Sequence, residues 1–97
     1  MDPAIPNIYV SDVVVSTAGR DQGSLYYVIS TDEMFLMLVN GKDRTLDKPK
    51  RKKRRHVQKV LRSETRVAAK LISGDKVLNS ELRRDLTYLS QTMQVTT

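Results

Sequence analysis

From Tyr9 to about Gln58 the sequence is cut into short apolar or β-branched runs by polar and glycine-bearing turns. Residues 9–18, Tyr9-Val10-Ser11-Asp12-Val13-Val14-Val15-Ser16-Thr17-Ala18, read as a first strand. Gly19-Arg20-Asp21-Gln22-Gly23 reads as a turn whose glycines take positive φ freely. Ser24 to Ser30 reads as a second strand, with Leu25, Tyr27 and Ile29 inward and Ser24, Tyr26, Val28 and Ser30 outward. After the polar turn Thr31-Asp32-Glu33, Met34 to Val39 is a continuous apolar run. It fits a strand buried on both sides or closing a small barrel. Asn40-Gly41 predicts a type I′ hairpin, with Asp43 to Leu46 as the returning strand. A short fifth strand fits Arg55–Gln58. Five short strands joined by tight turns predict a small antiparallel barrel, because closure removes the edges that such strands expose.

The last third changes period. Val67/Leu71 and Ala68/Ile72 recur at i, i+4 between Ser63 and Ile72, followed by Gly74. This predicts a helix capped at Ser63 and stopped by the glycine. Asn79 to about Met93 predicts a second helix, with Asn79 as its cap and Leu82, Leu86, Leu89 and Met93 on one stripe. Neither is long enough to be stable alone, so both should dock on the barrel or on a partner. The expected organisation is a loose N-terminal arm at 1–8, a barrel at 9–62 carrying a basic arm at 48–55, and a helical tail at 63–97. With 97 residues, 39% apolar and 5% aromatic, the chain makes one small domain with a modest core.

Charge is distributed unevenly. Between Lys42 and Arg62, eleven bases (Lys42, Arg44, Lys48, Lys50, Arg51, Lys52, Lys53, Arg54, Arg55, Lys59, Arg62) face two acids, a net of +9 in a chain of net +6. The octet Lys48–Arg55 has seven bases in eight positions. Like charges packed this way repel unless an anion neutralises them. Nucleic acid is the leading candidate; a solvated tail, a nuclear localisation signal and an anionic membrane are the others. Neither Trp nor Phe lies near the run, so apolar insertion into a membrane is not expected. The backbone before Pro49 favours extension, which would hold the run as an arm along RNA, gripping phosphates without reading sequence. The turn with Gly19 and Gly23 brings backbone N–H groups to the surface, where they can bind phosphate oxygens, and Arg20 at its tip can add a forked contact. The other reading of this turn is a plain hairpin with a solvated arginine. Tyr26 is either a base-stacking residue or a packing residue; Tyr9, Tyr27 and Tyr88 read as packing residues.

Several classes fall away. There is no Cys, which excludes disulfides, thiolate metal sites and thiol catalysis. A lone His56 without clustered carboxylates makes no metal site; it contacts phosphate or packs in the barrel. No Ser/His/Asp set, phosphate loop or paired acids stand out, so neither catalysis, nor a cofactor, nor a small-molecule substrate is expected. No apolar run approaches the roughly 18 residues of a membrane span. Met1–Asn7 has neither a basic region nor an apolar core, so no signal peptide is expected and the expected compartment is the cytoplasm.

Residues Ser11 to Gly23 resemble the KOW motif: an apolar strand, a polar turn, a key glycine and a second strand. Gly23 matches that glycine and Asp12 the acidic residue near the start, while Ser11 stands where glycine is usual. Ala18-Gly19-Arg20-Asp21-Gln22-Gly23, Asp43–Lys52 with its Lys48-Pro49-Lys50, Arg55-His56-Val57 and Asn79-Ser80-Glu81-Leu82-Arg83 look like the short bacterial KOW-domain RNA-binding proteins. Those are similar to a large-subunit ribosomal protein of archaea and eukaryotes. The resemblance spans residues 9 to about 90. It implies an SH3-like barrel that binds structured RNA, ribosomal RNA foremost, in contact with ribosomal proteins. The residues placed on RNA are Gly19, Arg20, Gly23, Lys42, Arg44, Lys48, Lys50, Arg51, Lys52, Lys53, Arg54, Arg55, His56, Lys59 and Arg62. The alternative is a protein-interaction module of the transcription or translation machinery, using the Leu82/Leu86/Leu89/Met93 stripe as its partner face.

Overall fold

A computed structural model describes residues 7–93. Its elements are β1 (Asp12–Ser16), β2 (Leu25–Thr31), β3 (Phe35–Val39), β4 (Lys50–Lys53), a 3-10 turn (Arg54–His56), β5 (Val57–Arg62), α1 (Arg66–Ser73) and α2 (Asn79–Met93). The strands form one antiparallel sheet in the order β4-β3-β2-β1-β5. β4 and β5 end up at opposite edges, yet only the 3-10 turn separates them in the chain. The sheet therefore has to curl until its two edges approach, which makes it barrel-like although the edges do not pair. Register shifts between Val13 and Val14 and between Val28 and Ser30 supply local bends of the kind that β-bulges introduce.

Both faces of the sheet are covered. Val14, Tyr26, Val28, Leu36, Leu38 and Val57 fill the concave side together with Ile8. Val13, Tyr27 and Val39 face the other way and pack under Val67 and Ala68 of α1, Val77, and Leu82, Leu86 and Leu89 of α2. Leu25 and Ile29 join this second cluster. The outward set expected on β2 is thus corrected: Tyr26 and Val28 line the barrel interior, and Leu25, Tyr27 and Ile29 lie under the helices. Strand alternation holds, but the helices turn the supposed solvent face into a second core. They dock on the barrel, so Leu82, Leu86 and Leu89 of the stripe expected as a partner face are already occupied, while the Met93 side chain lies outside the described residues. Each such leucine contributes about 1.5–3 kcal/mol relative to exposure.

Polar bonds fix this docking. The Tyr27 hydroxyl meets Ser63 Oγ at 2.8 Å and donates to the Asp85 carboxylate of α2. Thr65 Oγ1 donates to the same carboxylate at 2.9 Å. Burial, followed by the bond to Asp85, pushes the Tyr27 phenol up to about 12. Ser63 is committed to this network rather than to capping. Thr65 caps α1 instead, accepting from Ala68 N at 3.2 Å, and Gly74 ends the helix in the left-handed conformation. Asn79 does not cap α2 with its side chain, because Asn79 Oδ1 accepts from Leu46 N at 3.0 Å and ties the long loop to the helix. The carboxylate of Glu81 takes Leu78 N at 3.0 Å in its place.

The Asn40-Gly41 hairpin is also corrected. Gly41 has φ +77, but Asn40 does not share the positive φ that a type I′ turn requires. Asn40 Oδ1 accepts from Lys42 N and Arg44 N, and the chain continues as a loop through Asp43–Leu46 rather than as a strand. Gly41 is pressed against α2: its carbonyl accepts from Arg83 Nη1 at 2.5 Å, and a Cβ there would stand 2.2 Å from the Asn79 carbonyl oxygen. The fourth strand lies further on, inside the basic octet, and the fifth runs Val57–Arg62. The expected arm at 1–8 falls mostly outside the described residues; Ile8, at its end, is buried in the barrel. Ser11 takes φ +76, in the left-handed region that favours glycine.

Candidate nucleic-acid interface

The octet is not a free arm. Residues Lys50–Lys53 pair with β3 in the register Phe35↔Lys53, Leu36↔Lys52, Met37↔Arg51 and Leu38↔Lys50. Directly opposed residues share a face, so alternation sorts the bases into two sets. Lys50 and Lys52 lie on the side of the buried Leu36 and Leu38. Arg51 and Lys53 lie on the side of Phe35 and Met37.

The inner pair meets an internal counter-ion. Lys52 is 8% exposed, and its ammonium donates to Ala18 O at 2.6 Å and to Asp21 Oδ1 at 2.7 Å. Lys50 Nζ lies 3.1 Å from Asp21 Oδ2. Ser16 Oγ and the Tyr26 hydroxyl also donate to Asp21, at 2.8 and 3.1 Å. Burial opposes the charge on Asp21. Lys52 and Ser16, then Lys50 and Tyr26, outweigh it and hold the carboxyl well below the ordinary carboxylate range. Burial and the charge of Asp21 in turn push the Tyr26 phenol up to about 12. Tyr26, 1% exposed, is a packing residue, whereas Tyr9 and Tyr88, read as packing residues, are mostly exposed.

The outer set faces a shallow cleft of about 360 Å³ lined by Ala18, Gly19, Phe35, Arg51, Lys52, Lys53 and His56. The Arg51 guanidinium stacks 3.7 Å from the centroid of Phe35, leaving its other face and its N–H edges available. Gly19, with φ +86, leaves one wall of the cleft without a side chain. Arg20, Lys48 and Arg55 are exposed. Among the described residues, no ion pair engages Arg20, Lys48, Arg51, Lys53 or Arg55.

The structure therefore gathers Gly19, Arg51, Lys52, Lys53 and His56 at one cleft, holds Lys50 on the same Asp21, leaves Arg20, Lys48 and Arg55 exposed, and commits the other expected residues elsewhere. Arg54 Nε is engaged by Asp32 O at 2.7 Å. Lys59 pairs with the buried Asp12 at 3.1 Å, and Arg62 stands opposite Asp12 at the end of β5. Gly23 and Lys42 line a different cleft beside α2, with Arg44 in the loop next to it. Asp21 and Phe35 are site residues that the sequence alone does not single out. The period-2 split of the octet is the one available signal for them, and it becomes informative only once the octet is known to be a strand. Among the described residues, no helix is long and apolar enough to cross a membrane. No protein-family profile matches this chain, and no curated protein matches it significantly.

Proposed function

We propose that this chain is a non-catalytic RNA-binding protein that grips the phosphates of structured RNA with the outer face of β4, the following 3-10 turn and the loop at Gly19–Gly23. One observation carries the reading. The fold uses its local acid, Asp21, on Lys50 and Lys52 and leaves Arg51 and Lys53, at a cleft with a glycine wall, and the exposed Arg55 without a carboxylate partner among the described residues. A strand of four consecutive bases is retained at a sheet edge, where an external polyanion offsets the repulsion. The resemblance to KOW proteins points to ribosomal RNA as the ligand and to the ribosome as the place where the protein acts.

Binding is measured by fluorescence anisotropy against a labelled RNA hairpin over a range of salt. Arg20, Lys48, Arg51, Lys53 and Arg55 supply about five phosphate contacts, so log K falls against log[salt] with a slope of roughly −3.5 to −4.5. The Arg51→Ala/Lys53→Ala/Arg55→Ala variant flattens that slope by roughly 2 to 3 and weakens binding, with its circular dichroism unchanged. Wild-type affinity and slope in the triple variant would refute the assignment. Sedimentation of a lysate through sucrose at low and high salt tests the ribosomal part. Salt-sensitive co-migration with large subunits supports it, and a position at the top of the gradient at all salts counts against it.

A further inference from the structure

The outward side of α2 has a composition that docking on the barrel does not explain. The helix uses Leu82, Leu86 and Leu89 inward. Its two acids are also committed: Glu81 pairs with Lys70 at 2.9 Å and accepts Leu78 N, and Asp85 accepts from Tyr27 and Thr65. What remains outward among the described residues is Ser80, Arg83, Arg84, Thr87, Tyr88, Gln91 and Thr92, a surface with positive charge and no carboxylate. Tyr88 is 61% exposed and sits one turn after Arg84.

Two clefts meet on this face. One, of about 480 Å³, is lined by Arg83, Arg84 and Tyr88 among others. The other, of about 500 Å³, runs between α2 and the loop after β3 and is lined by Gly23, Lys42 and Arg83 among others. Arg83 belongs to both, and its bond to the Gly41 carbonyl holds its guanidinium between them. Gly23 is the far end of the same turn whose Gly19 lines the cleft at β4. The turn therefore separates the β4 cleft from the α2 face and gives a strand a way across.

We propose that the α2 face is a second subsite for RNA, accepting an unpaired nucleotide. The base stacks on Tyr88, and Arg84 and Lys42 take the flanking phosphates. The occupant is single-stranded because a base reaches the ring of Tyr88 only when it is not stacked in a helix. The proposal rests on the RNA-binding reading for its class of ligand and on separate residues for its site.

The chain has no Trp, so Tyr88→Trp makes a single tryptophan, excited selectively over the remaining tyrosines, at an exposed position. This variant is titrated with a short single-stranded oligoribonucleotide, with a blunt duplex of the same sequence and with polyglutamate. The single strand is expected to quench the emission, and the duplex and polyglutamate are not. Quenching persists at higher RNA concentration when Arg51, Lys53 and Arg55 are alanine, and it is lost with Arg84→Ala. In the otherwise unchanged chain, Tyr88→Ala weakens single-strand binding roughly tenfold and leaves duplex binding unchanged. Absence of quenching while anisotropy still reports binding refutes the α2 subsite and leaves the β4 interface standing. Equal quenching by polyglutamate refutes it in favour of an acidic peptide. Absence of both signals refutes both readings.

Discussion

Gly41 and Gly74 share φ +77 but differ in surroundings, and that makes them a matched pair. A Cβ at Gly74 would meet nothing within 4 Å. Gly74→Ala therefore carries only the conformational term, about 1–2 kcal/mol for an L-residue in the left-handed region. At Gly41 the same term applies, and the new Cβ would stand 2.2 Å from the Asn79 carbonyl oxygen and 3.0 Å from Leu82 Cβ. Backbone cannot yield as a flexible side chain does, so the start of α2 must retreat by about an ångström to reach van der Waals contact. Retreat loosens the fully buried Leu82, worth about 1.5–3 kcal/mol, and strains the bonds from Leu46 N to Asn79 and from Arg83 to Gly41, worth about 0.5–1.5 kcal/mol each. Gly41→Ala is therefore expected to cost about 3–5 kcal/mol, against about 1–2 for Gly74→Ala. Urea denaturation followed by far-ultraviolet circular dichroism reads both midpoints, with the m-values compared to confirm a common unfolded state. Equal losses in the two variants would refute the claim that α2 depends on a side-chain-free approach at Gly41.

Two further predictions concern the barrel. Because the Asp21 carboxyl is held below its ordinary range, the unfolded chain binds a proton there more readily than the folded chain does. Asp21 thus adds stability that is complete above about pH 4 and declines as the pH falls further. The urea midpoint of Asp21→Asn should lie below wild type at neutral pH, and the gap should narrow progressively as the pH falls below about 4 without closing by about pH 3; a gap that does not change with pH would show that the ion pairs are inert. Ser11→Gly should raise the melting temperature by a few degrees, since relief of about 1–2 kcal/mol of left-handed strain exceeds the ~0.5–1 kcal/mol entropic penalty of glycine; a lowered melting temperature would mean that the buried serine is worth more than its strain.

Much of the fold is legible in the residues themselves. β1, β2, β3 and both helices announce themselves through runs and periods that belong to single segments. β4 does not, because a strand is recognised by its apolar face and Lys50–Lys53 has none. Its inner face is completed by Asp21, about thirty residues earlier, and its outer face by Phe35 on the neighbouring strand. The same distinction governs the site. Gly19, Arg51 and Lys53 stand out by residue type, but the fact that Lys50 and Lys52 serve the fold is set by a partner brought in by tertiary structure. The caps differ from expectation for a related reason: Ser63 and Asn79 are good capping residues that the packed helices recruit as long-range ties. Of the two readings open for Tyr26, packing holds because the sheet is covered on both sides, which alternation alone cannot show, and Tyr88, read as a packing residue, is exposed on α2.

The order β4-β3-β2-β1-β5 has a consequence for synthesis of the chain. β1 is made before its neighbour β5 by the whole basic stretch, and Leu89, which joins the second core, comes later still. The strand pairings and the first core need nothing beyond Arg62, but Val13, Tyr27 and Val39 stay uncovered until α1 and α2, as far as Leu89, have followed. During that interval the positive charge of the octet opposes association between chains that expose this face.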